Sequence, residues 1–264
     1  MKSTIRLPVI GIIVLLAGAS LVLGQQHEAE RSHRDAIPFG PEATLQVILT
    51  DGRLNLQGID GDEVQIEAVK RVRAYRGAGA DEAEQLVEKI ELVTEKSDER
   101  IRISTKLPRG CKRELDCLVD LTISVPTGAT VTARADDGDV YVTNFSGSFD
   151  LRTDDGDVHL TDVSGRIDIR ADDGDVEAAI ASNTMLTVRA DDGDIRLILE
   201  VDDGDEPAIL VEQDDGKTRS DFRVFTSRES YAAAFKSGLL EGGGWPRAEL
   251  RVEDGDIEIE RREP

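Results

Sequence analysis

The chain has 264 residues, with 32 Lys and Arg against 54 Asp and Glu, a formal charge of −22, and 39% hydrophobic residues. Such an acidic balance argues against nucleic acid and anionic membrane surfaces as partners and favours cationic partners or metal ions, with solubility as the plain alternative. No Gly-x-Ser-x-Gly, zinc-binding His pair or phosphate-binding glycine loop occurs, so the commonest hydrolase, metallopeptidase and nucleotide-binding signatures are absent from the sequence.

Lys2 and Arg6 precede an uncharged apolar run from Leu7 to Leu23 that ends in small residues near Gly24, the pattern of a signal peptide over residues 1–24. The run is short for a membrane span, and an uncleaved anchor is the rival reading. Loss of Lys2 and Arg6 leaves 30 basic against 54 acidic residues, a charge of −24. No Cys follows the run, which leaves lipid anchoring unsupported. An exported protein of the periplasm, cell surface or extracellular space follows. Residues 25–41 are polar, carry Pro38, Gly40 and Pro41, and read as a flexible tether. His27 and His33 fall within it. The folded part is expected as one domain over 42–264, long enough for a real core.

Within that domain Leu45, Val47 and Leu49 alternate before Asp51-Gly52, and Leu54 and Leu56 alternate after it, which predicts a hairpin. A third strand runs over 64–72, with Val64, Ile66, Ala68 and Val72 inward. Over 80–90 the period changes: Ala83, Leu86, Val87 and Ile90 keep helical spacing, and the acidic first turn suits the helix dipole. Strands follow over 91–94, 100–105 and 118–125. Cys111 and Cys117 lie between, and an oxidising compartment predicts a disulfide there; their spacing fits neither a redox motif nor a four-ligand zinc pattern.

From residue 131 to 199 one cassette repeats: Arg134-Ala-Asp-Asp-Gly-Asp139, Arg152-Thr-Asp-Asp-Gly-Asp157, Arg170-Ala-Asp-Asp-Gly-Asp175 and Arg189-Ala-Asp-Asp-Gly-Asp194, at steps of 18, 18 and 19 residues. Each unit holds two alternating strands and two turns. Two all-β architectures fit: a β-solenoid with coils of about 18 residues and one short helix before the repeats, or an antiparallel β-sandwich or meander whose Asp-Gly and Ser-Gly turns are hairpins. Core burial favours the solenoid, because a coil encloses its own apolar face whereas a meander of eight strands needs a cover that one helix cannot supply. Residues 200–264 read as a capping region, with a strand over 218–226, a short helix over 229–237, the run Gly242–Gly244, Trp245, and a last cassette, Arg251-Val-Glu-Asp-Gly-Asp256.

Stacked coils would place Asp above Asp, and two charges about 4.8 Å apart repel by roughly 1 kcal/mol even in water. Arg134, Arg152, Arg170 and Arg189 stand two residues before Asp136, Asp154, Asp172 and Asp191 and offer partial compensation. A bound divalent cation, Ca2+ above all, would supply the rest, with Asp137, Asp139, Asp155, Asp157, Asp173, Asp175, Asp192 and Asp194 as its ligands. Solvated turns with diffuse counterions are the simpler expectation, with no cofactor. His159 reads as a surface residue, Trp245 as a core or cap residue, and no catalytic set emerges.

Val119-Asp-Leu-Thr-Ile-Ser-Val125 running into Pro126-Thr-Gly128, then repeated Asp-Gly-Asp-Val turns and a closing Asp254-Gly-Asp-Ile257 strand, resembles the putative-adhesin domain family of bacterial exported proteins over roughly residues 42–260. The resemblance implies a β-helical domain exposed in the envelope or outside the cell, and carries over no catalytic residues. The expectation is a non-enzymatic, adhesin-like β-solenoid whose acidic face meets an envelope protein or polysaccharide, and not nucleic acid. Membrane contact enters only if the N-terminal segment is retained. A Ca2+-dependent binding module is the first alternative and a carbohydrate-active envelope enzyme the second.

Overall fold

The computed structural model describes residues 27–262 apart from 76–78, 98, 112–113, 182, 202–205 and 237–246. The signal segment, the Asp202–Asp205 turn, the glycine run and Trp245 lie outside the described residues. What is described is all-β with two short helices. The first strand corrects an expectation: β1 (His27–Pro38) is no tether but a twelve-residue edge strand. Its polar sequence hid it, because only Ala29 and Ile37 are buried.

The strands β2 (Thr44–Asp51) and β3 (Leu54–Ile59) meet at Asp51-Gly52, yet this turn is not a hairpin. It passes the chain from one sheet to another. A long strand β4 (Glu63–Ala74) pairs antiparallel with β1 and buries Val64, Ile66, Ala68 and Val72. Helix α1 (Ala80–Val87) lays Ala83, Leu86 and Val87 onto β1 and β4, so the helical period read over this segment marks a cover for one end of the sheet. The pair β5 (Glu91–Lys96) and β6 (Arg100–Lys106) is an antiparallel hairpin, and β7 (Leu115–Pro126) returns antiparallel to β4.

From here the ladders are parallel. The repeat strands are β8 (Thr130–Asp137), β9 (Val140–Thr143), β10 (Ser146–Asp155), β11 (Val158–Asp173), β12 (Val176–Ile180), β13 (Met185–Asp192) and β14 (Ile195–Glu200). In the first sheet Val131 lies opposite Phe149, Phe149 opposite Ile167, and Ile167 opposite Leu186. In the second, Val140, Val158, Val176 and Ile195 succeed one another in the same way. All eight side chains are buried. Alternation sends every second residue inward, and a parallel in-register pairing turns those residues into continuous apolar columns. Each fully buried Val, Leu, Ile or Phe contributes on the order of 1.5–3 kcal/mol of transfer free energy. The parallel register contradicts the alternative of an antiparallel meander for this block.

The tail is β15 (Ile209–Asp215), β16 (Thr218–Ser220), β17 (Val224–Phe225), helix α2 (Arg228–Lys236), β18 (Ala248–Asp254) and β19 (Ile257–Arg262). Spatial order departs from chain order here. The last strands do not cap the stack: β18 lies between β13 and β15, and β19 between β14 and β16. The same happens at the other end, where β2 lies between β6 and β8 and β3 between β7 and β9. Beyond β15, Leu210 turns outward and is buried with Phe225 and Tyr231, whose rings meet edge to face at 5.6 Å.

Candidate functional site: stacked turn and charge columns

Register brings the cassettes onto one corner of the molecule. The Asp-Gly turns follow the order Gly52, Gly138, Gly156, Gly174, Gly193, Gly255, Gly216, each glycine packed on the carbonyl of the one before. Gly156 shows why no other residue fits: its φ is +122°, and a Cβ there would stand 2.5 Å from the Gly138 carbonyl oxygen. Backbone crowding of this kind is relieved only by separating the rungs. The glycine N–H groups bind the next turn as well, Gly138 donating to Asp155, Gly156 to Asp173, Gly174 to Asp192 and Gly193 to Asp254.

The last Asp of each cassette forms a ladder of its own. Asp139 Oδ1 accepts the Asp157 N–H at 3.4 Å, Asp157 Oδ1 that of Asp175 at 3.0 Å, Asp175 Oδ1 that of Asp194 at 2.8 Å, and Asp194 Oδ1 that of Asp256 at 2.7 Å. Asp256 Oδ1 then accepts from Lys217 at 2.8 Å. Each of these carboxylates thereby receives a backbone donor from its neighbour, which stabilises the charge without cancelling it. The ladder stops at Lys217, which has no carboxylate to offer a further rung. Asp157→Ala is expected to lower stability by about 0.5–1 kcal/mol by removing the acceptor of the exposed Asp175 N–H; urea unfolding checks it.

The preceding Asp is less well served. Asp137, Asp155, Asp173, Asp192 and Asp254 stand opposite one another in register. Partial desolvation first, and then the charges of Asp155 and Asp192, push the Asp173 carboxyl upward. At the same register position Asp51 is pushed up to about 6, by burial foremost and then by Asp116 and Asp137. A carboxyl raised in the folded state holds its proton longer than in the unfolded chain, so stability falls as pH rises from about 4 to about 6. Asp51→Asn is therefore expected to leave stability unchanged below pH 4 and to raise it at pH 7 by on the order of 1 kcal/mol after solvent screening. Urea midpoints at the two pH values check this.

The arginines form a third column, Arg134, Arg152, Arg170, Arg189 and Arg251 in register. Arg134 and Arg152 pair with the Asp two residues on, at 2.8 and 3.5 Å, and each reaches the next rung as well, to Asp154 at 2.7 Å and Asp172 at 3.2 Å. Arg170 and Arg189 depart from the expected pairing with Asp172 and Asp191. Both turn to Asp168 instead, at 3.2 and 3.5 Å: it stands two residues before Arg170 on the same outward face, and Arg189 reaches it across the ladder, where Asp168 lies opposite Thr187. These exposed pairs are worth roughly 0–1 kcal/mol each and matter more to surface chemistry than to stability.

On the second sheet His159 is half-buried, its ring stacked on Tyr141 at 4.8 Å with Glu177 3.5 Å away. Cys111 and Cys117 are joined as a disulfide with Cα atoms 5.6 Å apart, tying the loop before β7 to that strand. Among the described residues no three or more His, Cys, Asp or Glu side chains converge in an arrangement able to hold a metal ion. The eight Asp read as Ca2+ ligands thus fall into two parallel columns along the corner.

The Toastrack DUF4097 family model matches residues 44–260. The chain belongs to the Toastrack DUF4097 family. This agrees with the resemblance to the putative-adhesin domain family drawn from 119–128 and the Asp-Gly-Asp turns. Solved structures similar to this Toastrack chain include a putative cell adhesion protein from Clostridium sporogenes, at 13% identity and a TM-score of 0.41, covering 88% of this chain and 100% of that one. A putative adhesin from Bacteroides fragilis matches at 11% identity and a TM-score of 0.32 over 88% and 97%. A putative lipid binding protein from Parabacteroides distasonis matches at 10% and 0.26 over 86% and 96%. No curated protein matches the Toastrack chain. Among the described residues no helix is long and apolar enough to cross a membrane.

Three features escaped sequence reasoning: the strand β1, the insertion of β18 and β19 between earlier rungs, and the carboxylate-to-amide ladder. The second had a signal. The Arg251–Asp256 cassette is complete, whereas Glu212 and Lys217 replace its Arg and last Asp in the turn that lies at the end.

Proposed function

We propose that this chain is an exported, non-enzymatic, adhesin-like β-solenoid of the bacterial cell envelope, and that its acidic repeat corner is an interaction surface for an envelope protein or polysaccharide. The carrying observation is an Arg at the same register position of every rung from Arg134 to Arg251, each with a carboxylate within 4.0 Å. Five rungs at strand spacing span about 19 Å, a length that suits a partner with charges at regular intervals. Folding alone needs the glycines and the apolar columns, and the exposed Arg–Asp ion pairs add little to it. The N-terminal pattern of residues 1–24 supports export, and family membership supports the adhesin-like reading.

The test is co-sedimentation with isolated envelope polysaccharide and with envelope protein fractions, comparing the natural chain with a variant carrying Asp136→Asn, Asp154→Asn and Asp172→Asn. Binding that weakens at least about tenfold in the variant, and weakens with salt, is expected. Equal binding by both overturns the assignment to this corner.

A Ca2+-dependent module is the second reading, favoured by the crowding of Asp155, Asp173 and Asp192 and the upward push on Asp173. Calcium bound only by the folded chain would raise the thermal midpoint with its concentration. An unchanged midpoint from micromolar to millimolar Ca2+ excludes it.

A further inference from the structure

Asp-Gly is the dipeptide whose backbone rearranges most readily, because the unhindered glycine nitrogen attacks the carboxyl carbon of the preceding Asp. A Cγ–N bond forms, the Cγ–OH bond breaks, and water leaves. Water then opens the five-membered succinimide at either carbonyl, giving Asp or isoaspartate. Attack needs a free glycine N–H and a backbone able to rotate. This chain is built around repeated Asp-Gly turns, and the structure treats them unequally.

Within the stack each glycine nitrogen is engaged. Gly52 donates to Asp137 at 3.1 Å, Gly138 to Asp155 at 2.9 Å, Gly156 to Asp173 at 3.1 Å, Gly174 to Asp192 at 3.1 Å, Gly193 to Asp254 at 3.0 Å, and Gly255 to Asp215 at 3.3 Å. The Asp before each glycine ends an extended strand held by parallel ladders, which opposes the rotation that ring closure requires. Two turns differ. Gly216 is the terminal turn of the column, and among the described residues its N–H meets no acceptor. Gly61 follows Asp60 in the turn between β3 and β4, away from the column, and its N–H is equally without one. All four residues of these two pairs are exposed.

We propose that, among the described Asp-Gly pairs, Asp60-Gly61 and Asp215-Gly216 are the sites of succinimide and isoaspartate formation in the folded protein, and that stacking protects Asp51, Asp137, Asp155, Asp173, Asp192 and Asp254. At Asp215 the change has a structural consequence. Isoaspartate adds a methylene to the main chain at the position where the Asp215 carbonyl receives Gly255 and where Lys217 meets Asp256, so the outermost rung loses register first.

The experiment incubates the intact chain at 37 °C and neutral pH in water enriched in oxygen-18, then locates the label by peptide fragmentation, since each passage through succinimide exchanges one carboxyl oxygen. A parallel sample is held unfolded in urea. The expected result is labelling at Asp60 and Asp215 at least about tenfold faster than at the six stacked Asp in the folded sample, and comparable labelling of all eight in urea. Equal rates in the folded sample overturn the proposal, as does labelling of neither site. A ranking that persists in urea also overturns it, because sequence context and not the hydrogen-bonded stack would then set the rates.

Discussion

A chain ending at Lys236 is expected not to fold. Read from sequence order alone, the loss of residues 237–264 removes a cap and leaves the repeat block standing. In the structure the same truncation removes β18 and β19 from the middle of both ladders. It strips away the buried Ala248, Leu250, Val252, Ile257 and Ile259. At about 1.5–3 kcal/mol for each of the four larger side chains, the lost transfer free energy is comparable to the whole stability of a domain. The strand β16 then has no partner, β15 keeps only the two-residue strand β17, and β13 and β14 expose an edge. Circular dichroism and hydrogen exchange on the truncated chain check this, against the retained strand signal and protected core amides that a removable cap would leave.

The second large effect is expected from Gly156→Ala in the middle of the column. A side chain at φ +122° costs on the order of 1–3 kcal/mol by itself, and the collision with the Gly138 carbonyl adds separation of two rungs whose core residues are fully buried. A loss of about 3–5 kcal/mol in urea unfolding is expected. Gly40→Ala, where a Cβ meets nothing within 4 Å, serves as the matched control and is expected to change stability by less than about 1 kcal/mol. Similar losses at both positions would mean that the crowding at the corner is relieved more cheaply than the stacked geometry implies.

Much of this fold was legible in the residues. Alternation over 131–197 identifies the inward faces, from Val131 and Phe149 to Ile195 and Leu197, because period two survives whichever strands become neighbours. Helix α1 was legible through its helical spacing of Ala83, Leu86 and Val87, which is equally independent of which strands it covers. What failed depended on partners that local pattern does not encode. The turn at Asp51-Gly52 carries the chemistry of a hairpin and of a sheet-to-sheet corner alike, and only the neighbouring Val119 and Gly138 decide between them. Residues 27–38 lack an apolar rhythm because an edge strand beside β4 and α1 needs only Ala29 and Ile37 inside. In the charge columns the composition foretold a need for compensation, but not its source, since a backbone N–H leaves no trace in sequence. The turns of Arg170 and Arg189 toward Asp168 were likewise invisible to a rule that looked only forward along the strand.

Lys217 at the last turn has a meaning for lineage as well as for shape. A unit copied between Val131 and Leu199 brings its own glycine, its own acceptor carboxylate and its own inward residues, and so slots between existing neighbours without altering either terminus. A unit appended after the outermost turn finds an ammonium where it needs an oxygen. Lengthening is thereby directed to the interior of the stack and away from its Lys217 end.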